Sequence, residues 1–151
     1  WGNVGHRIIN TKTILSVTPE MNFWGNWSDS LAAHGPDADY RKSSDPDEAP
    51  KHYIDIDNYP EFISNGYITQ NFDSLVLEHG ITFVMDQGIL PWAIIKTFDS
   101  LQTAFQNNQF HKAMLFYRRS WSLCWGHAYA TSHHKKLQWA IHWTNGCAQQ
   151  I

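Results

Sequence analysis

The chain has 151 residues, 42% of them hydrophobic and 15% aromatic, with eight tryptophans; this is enough for one domain with a real core. Eleven basic against fourteen acidic residues leave a formal charge of −3, which excludes a broad electrostatic grip on nucleic acid but leaves room for a local phosphate site. No apolar run is long enough to span a membrane, and the two cysteines, Cys124 and Cys147, can pair without making a disulfide framework.

Along the chain the patterning is helical. Val4, Ile8, Ile9, Ile14 and Leu15 recur at roughly helical spacing and predict a helix over 4–16. Thr18 is placed to cap a second helix, with Pro19 at its first position and Glu20 in its first turn. Met21, Phe23, Trp24, Trp27 and Leu31 carry that helix to about Ala33, before Gly35-Pro36 breaks it. Residues 36–51 are polar and rich in turn formers, and read as a surface loop. The segment His52-Tyr53-Ile54-Asp55-Ile56-Asp57 alternates like a strand but has no partner segment, so it is expected to lie extended against helices. Phe72–His79 reads as a short helix. Pro91 opens the strongest one, where Trp92, Ile94, Ile95, Phe98, Leu101 and Phe105 form an apolar stripe. A turn at Asn107-Asn108 and a further helix over Phe110–Phe116 follow. The expected fold class is all-α, without internal repeats.

Composition breaks near residue 117. Residues 1–116 hold all fourteen acids and seven basic residues, whereas 117–151 hold Arg118, Arg119, Lys135 and Lys136 and no acid. Both cysteines, four of the eight tryptophans and four of the nine histidines also fall after the break. The chain is therefore expected to divide into a domain segment, 1–116, and an atypical tail, 117–151.

The residues suited to metal binding are His6, His34, Asp37, Asp39, His52, Asp55 and Asp57, since zinc prefers imidazole and carboxylate donors. The first six residues, Trp1-Gly2-Asn3-Val4-Gly5-His6, begin at tryptophan and not methionine. Residue 1 is accordingly expected to be a mature end left by signal-peptide removal, in a secreted or periplasmic protein. Its α-amine, titrating near ~7.7–8.0, and its carbonyl can chelate one ion, with His6 adding an imidazole. Taken alone, these six residues read more simply as an arbitrary cleavage point followed by a helix carrying one exposed histidine.

The sequence Trp1-Gly2-x-x-Gly5-His6, the fifteen-residue interval from Asp37 to His52, and the segment His52-Tyr53-Ile54-Asp55 together resemble one family. It comprises the single-strand-specific zinc nucleases and the zinc-dependent phospholipases C. The resemblance runs in order from residue 1 to about 116 and implies an all-α fold built around a trinuclear zinc cluster. Carried over, it implies that Trp1 and His6 hold one zinc and that Asp37 and His52 hold another. Asp39 rivals Asp37, but the interval favours Asp37. His34 fits no motif position, and Asp55 and Asp57 are expected to make supporting or turn hydrogen bonds.

The family's remaining ligands, a His-x-x-x-Asp on one helix face followed by Pro-Leu-His, do not occur in 117–151. Read one nucleotide later with permitted codons, however, the tail can encode HYVGDMPMPLH at the expected place. We therefore expect residues 117–151 to be a frameshifted tail; a genuine tryptophan-rich helical segment is the alternative. The resemblance implies zinc-dependent hydrolysis of a phosphodiester, in single-stranded nucleic acid or phospholipid, impaired here by the missing ligands. No protein partner is expected. The competing reading is a non-catalytic, all-α secreted domain whose aromatics form its core.

Overall fold

A computed structural model describes residues 2–16 and 19–117. Among these residues there are helices and no strand, and no helix is long and apolar enough to cross a membrane. The order is α1 (Gly2–Ile14), a 3-10 stretch (Pro19–Trp27), α2 (Ser28–Ala33), α3 (Asp37–Arg41), 3-10 turns at Ala49–His52 and Ile56–Asn58, α4 (Pro60–Asn65), α5 (Phe72–His79), α6 (Ile81–Gln87) and α7 (Leu90–Gln106). Residues 110–117 are helical again after a turn at 107–108.

Several expectations meet the structure directly. α5 begins and ends at Phe72 and His79, with Asn71 Oδ1 accepting from the Ser74 amide at 2.8 Å as its cap. α7 covers the predicted stripe and starts one residue before Pro91. The second predicted helix divides into a 3-10 stretch and α2, and stops at Ala33 as expected. The stretch 36–51 is less irregular than its composition implies, since it holds α3 and a 3-10 turn. The short α4 and α6 carry too few apolar repeats to stand out in the sequence.

α1 departs furthest from its reading. Val4, Ile8 and Leu15 point outward and are 69%, 55% and 72% exposed, whereas His6 and Asn10 are buried. The face that carries the fold is polar, and it packs on α2. Asn10 Nδ2 donates to the Leu31 carbonyl at 2.9 Å, and a buried amide held this way cannot be exchanged for an exposed one without cost.

The main core gathers Ile54, Ile56, Tyr59, Phe62, Ile68, Leu75 and Val84, with Phe72, Phe83, Ile89, Trp92 and Ile95 against it. Ile54 and Ile56 go inward while Asp55 and Asp57 remain exposed, so the strand-like alternation reports an extended segment lying on helices. Backbone bonds clamp it to the α6–α7 junction: Asp55 N to Gln87 O at 2.7 Å, Ile89 N to Pro50 O at 2.7 Å, and Leu90 N to Tyr53 O at 3.2 Å. A second cluster joins Leu31 to Leu101, Phe105, Met114 and Tyr117. The apolar faces of α7 and of residues 110–117 thus have partners among the described residues.

Gly88 makes the clamp possible. Its φ is +88°, and a Cβ there would overlap the Tyr53 carbonyl oxygen. Gly88→Ala is expected to cost about 3 kcal/mol, from backbone strain and the displaced carbonyl. Gly25→Ala, with open space around it, is expected to change stability by less than about 0.5 kcal/mol. Urea midpoints of the two variants check this; equal midpoints would contradict the clamp.

Candidate metal centre

Three stretches of chain deliver the side chains. α1 presents His6 one turn before Asn10 on its buried face. The α2–α3 turn closes on it at Gly35, where a Cβ would lie 2.6 Å from Asn10 Nδ2 and 3.1 Å from the His6 carbonyl oxygen. Asn3 Nδ2 also donates to Tyr40 Oη, which holds α3 beside the start of α1. The 3-10 turn Ala49–His52 then brings in His52, and it packs against α7.

These elements converge on Asp39. An ionised carboxylate only accepts, so His6 donates from Nε2 to Asp39 Oδ2 at 2.8 Å. The other oxygen, Oδ1, lies 2.9 Å from Lys42 Nζ and 3.6 Å from His52 Nδ1. One carboxylate therefore faces two imidazoles and an ammonium. Both histidine side chains are 9% exposed and that of Asp39 is 33% exposed, so the group sits at the floor of the surface. Burial alone would raise the Asp39 pKa, but the hydrogen bond and charge of Lys42, aided by His6, outweigh it and hold the carboxyl low. Burial pushes His52 down, and the Lys42 charge adds to that against the opposing pull of Asp39 and Glu48. His52 is consequently neutral near pH 7, the state in which an imidazole ligates metal.

Behind His52 stands Glu48, with no exposed surface. Arg41 Nη2 donates to its Oε1 at 3.1 Å and Lys51 Nζ to its Oε2 at 3.3 Å. His52 Nε2 lies 3.5 Å from Glu48 Oε1, yet this buried nitrogen makes no hydrogen bond. The nitrogen turned to Asp39 is Nδ1, and with His6 it makes up two imidazoles and a carboxylate, a donor set that zinc fits.

The residues expected from sequence fall as follows. His6 and His52 are brought together. Trp1 lies outside the described residues, as do Cys124, Cys147 and the proposed frameshifted tail after Tyr117. Asp37 turns to His34, 2.9 Å from its Nδ1, with both side chains more than a third exposed. The carboxylate between His6 and His52 is Asp39, the rival in the interval argument. Asp55 acts through its backbone at the α6–α7 clamp. Sequence reading missed Lys42, which looks like any loop lysine. It also missed Glu48, because Asp45-Pro46-Asp47-Glu48 reads as a solvated acidic turn. The signal that was available for Glu48 is its spacing of three and four residues from Lys51 and His52, which a helical turn places on one side.

Compared with protein-family models, with curated proteins and with solved structures, the chain matches none.

Two outcomes follow from this geometry. Glu48→Ala leaves Arg41 and Lys51 facing a void and is expected to cost about 3 kcal/mol, while the exposed neighbour Asp47→Ala should cost less than about 0.5 kcal/mol; urea unfolding compares them. The second concerns acid. The unfolded chain protonates His52 near pH ~6.5 and the folded chain only at lower pH, so the unfolded state binds more protons in between. The stability from neutral His52 is full above about pH 6.5 and lost as pH falls through the lower folded value. The thermal midpoint should drop on acidification from neutral pH, and His52→Gln should flatten that drop. An unchanged slope in the variant would refute the assignment.

Proposed function

We propose that the chain is a zinc-dependent phosphodiester hydrolase of the single-strand nuclease or phospholipase C type, weakened because residues 117–151 supply no carboxylate. The observation that supports the reading is the meeting of His6 Nε2 and His52 Nδ1 at the Asp39 carboxylate. In this proposal His6, Asp39 and His52 hold a zinc ion. Asp37 is the alternative carboxylate, favoured by sequence interval and disfavoured by its pairing with His34.

Zinc held by His6, Asp39 and His52 would supply Lewis acidity toward water and positive charge toward a phosphate. The chain's own contribution is to hold those donors close together, so that a metal need only displace the His6 Nε2–H bond to Asp39. The His6 ring is fixed by its bond to Asp39 and by the close α1–turn contact at Gly35. His52 is kept neutral by burial. Glu48, paired with Arg41 and Lys51, backs the His52 ring. Lys42, 40% exposed, can leave Asp39 for solvent or for a phosphate oxygen, so that the carboxylate is freed as the substrate's charge is met. The donors named here hold one ion and not a trinuclear cluster, which is why weak turnover is expected.

A second reading, a non-catalytic all-α domain, is favoured by the same lysine, because its ammonium at 2.9 Å already gives Asp39 a cation. Equilibrium dialysis against zinc separates the two. For the hydrolase, the wild-type chain should retain zinc, Asp39→Asn should lose at least about tenfold in affinity, and Asp37→Asn should change it less than about twofold. The retained zinc should support slow cleavage of single-stranded DNA or of phosphatidylcholine, and the substrate cleaved decides between nuclease and phospholipase. A wild-type chain with no zinc and no cleavage is the result of the non-catalytic reading. Asp37→Asn alone losing zinc would return the carboxylate to Asp37. A full trinuclear complement with fast turnover would refute the claimed impairment.

A further inference from the structure

A different cluster, between α4 and α5, carries its own chemistry. Glu61 from α4 and Glu78 and His79 from the end of α5 bring one ligand atom each to within 4.8 Å of one another. His79 Nε2 and Glu61 Oε1 are 2.8 Å apart, with side chains 14% and 20% exposed, while Glu78 reaches solvent. The imidazole is not free to turn: it stacks on Phe83 with ring centres 5.3 Å apart and meets the Tyr59 ring edge-on at 5.3 Å.

Two carboxylates this close repel unless a cation lies between them. Among the described residues, no lysine or arginine lies within ion-pairing distance of Glu61 or Glu78. The Asp39 group has Lys42 for that purpose; this group has only a histidine. A second, independent observation points the same way. Tyr59 is fully buried and its hydroxyl makes no hydrogen bond. Its ring lies edge-on to that of His79, and it stands two residues before Glu61 in the chain. A buried phenol without a partner calls for one, and a metal-held water would donate to its oxygen.

We propose that Glu61, Glu78 and His79 form a divalent-metal site, separate from the His6–Asp39–His52 group. One imidazole and two carboxylates balance the charge of a dication. The nitrogen donor selects a borderline ion such as zinc over calcium or magnesium, which prefer all-oxygen shells. Bound there, the ion staples the first turn of α4 to the last turn of α5 and so stabilises the main core from its rim.

Glu78→Gln tests this without disturbing the interior, because the Glu78 side chain is exposed. The full chain is titrated with zinc alone, then with magnesium alone, following bound metal by dialysis and the thermal midpoint. Zinc should raise the midpoint of the wild type and of Asp39→Asn, which removes the first group's carboxylate. Glu78→Gln should lower zinc affinity at this site by at least about tenfold, with its metal-free midpoint unchanged. His79→Gln should behave likewise toward zinc. The proposal is overturned if Glu78→Gln retains zinc within about twofold in the Asp39→Asn background, or if magnesium raises the midpoint as much as zinc does. Loss of all zinc in Asp39→Asn also overturns it and leaves the first group standing; retention there combined with no effect of Asp39→Asn on total zinc overturns the first group and leaves this one.

Discussion

An ionised carboxylate with no exposed surface is tolerable only where cations meet it, since taking one charge out of water costs several kcal/mol. Glu48 imposes that condition on the N-terminal half of this fold. Arg41, at the end of α3, and Lys51, in the following 3-10 turn, approach its two oxygens from different sides. Residues 42–47 must therefore double back between them. Once they do, His52 follows within the same turn and is carried under the surface next to Asp39. The pairing of His6 with the same aspartate then has somewhere to form. A charge buried in what reads as a loop thus sets the position of two imidazoles.

The two histidine–carboxylate groups are electrostatic opposites. At Asp39 a single carboxylate is shared by His6, His52 and Lys42, so any incoming cation competes with an ammonium already in place. At Glu61 and Glu78 two carboxylates share one imidazole, and an incoming cation displaces at most a proton. The first arrangement suits a site that opens when an anionic substrate draws the lysine away. The second suits an ion that remains and acts on the fold. Burial differs accordingly, with the first group backed by Glu48 and the second by an aromatic wall of Tyr59 and Phe83.

What could be read from the chain divides along physical lines. α5 and α7 announce themselves because their apolar stripes face a core and their ends carry an Asn cap or an early proline. The alternation at 54–57 is legible because period two sorts side chains inward and outward whether or not the segment has a strand partner. α1 misleads. Val4 and Ile8 lie on one face, but Asn10 and His6 make specific bonds on the other, and those decide which side turns in. Of the candidate site, the two histidines were recognisable from their motifs. The choice between Asp37 and Asp39 was not, since residues two apart on a helix point to different sides and only the distant His6 distinguishes them. Glu48 was hidden for a related reason: its burial depends on Arg41 seven residues away, beyond the reach of local composition.

The backbone clamp between 50–55 and 87–90 joins stretches more than thirty residues apart in sequence, and the chain between them contains nearly all of the main apolar cluster. The entropy of closing such a loop rises only slowly with its length, so three backbone bonds and that cluster hold it shut. The enclosed segment has its entrance and exit side by side. It is joined at one edge to a frame in which α2 meets the end of α7 and residues 110–117 through Leu31. It is not separable from that frame, since Trp92 and Ile95 of α7 pack against its apolar cluster. The Asp39 group takes His52 from the clamp and the Glu61 group lies wholly within the closed loop, so one continuous core carries both.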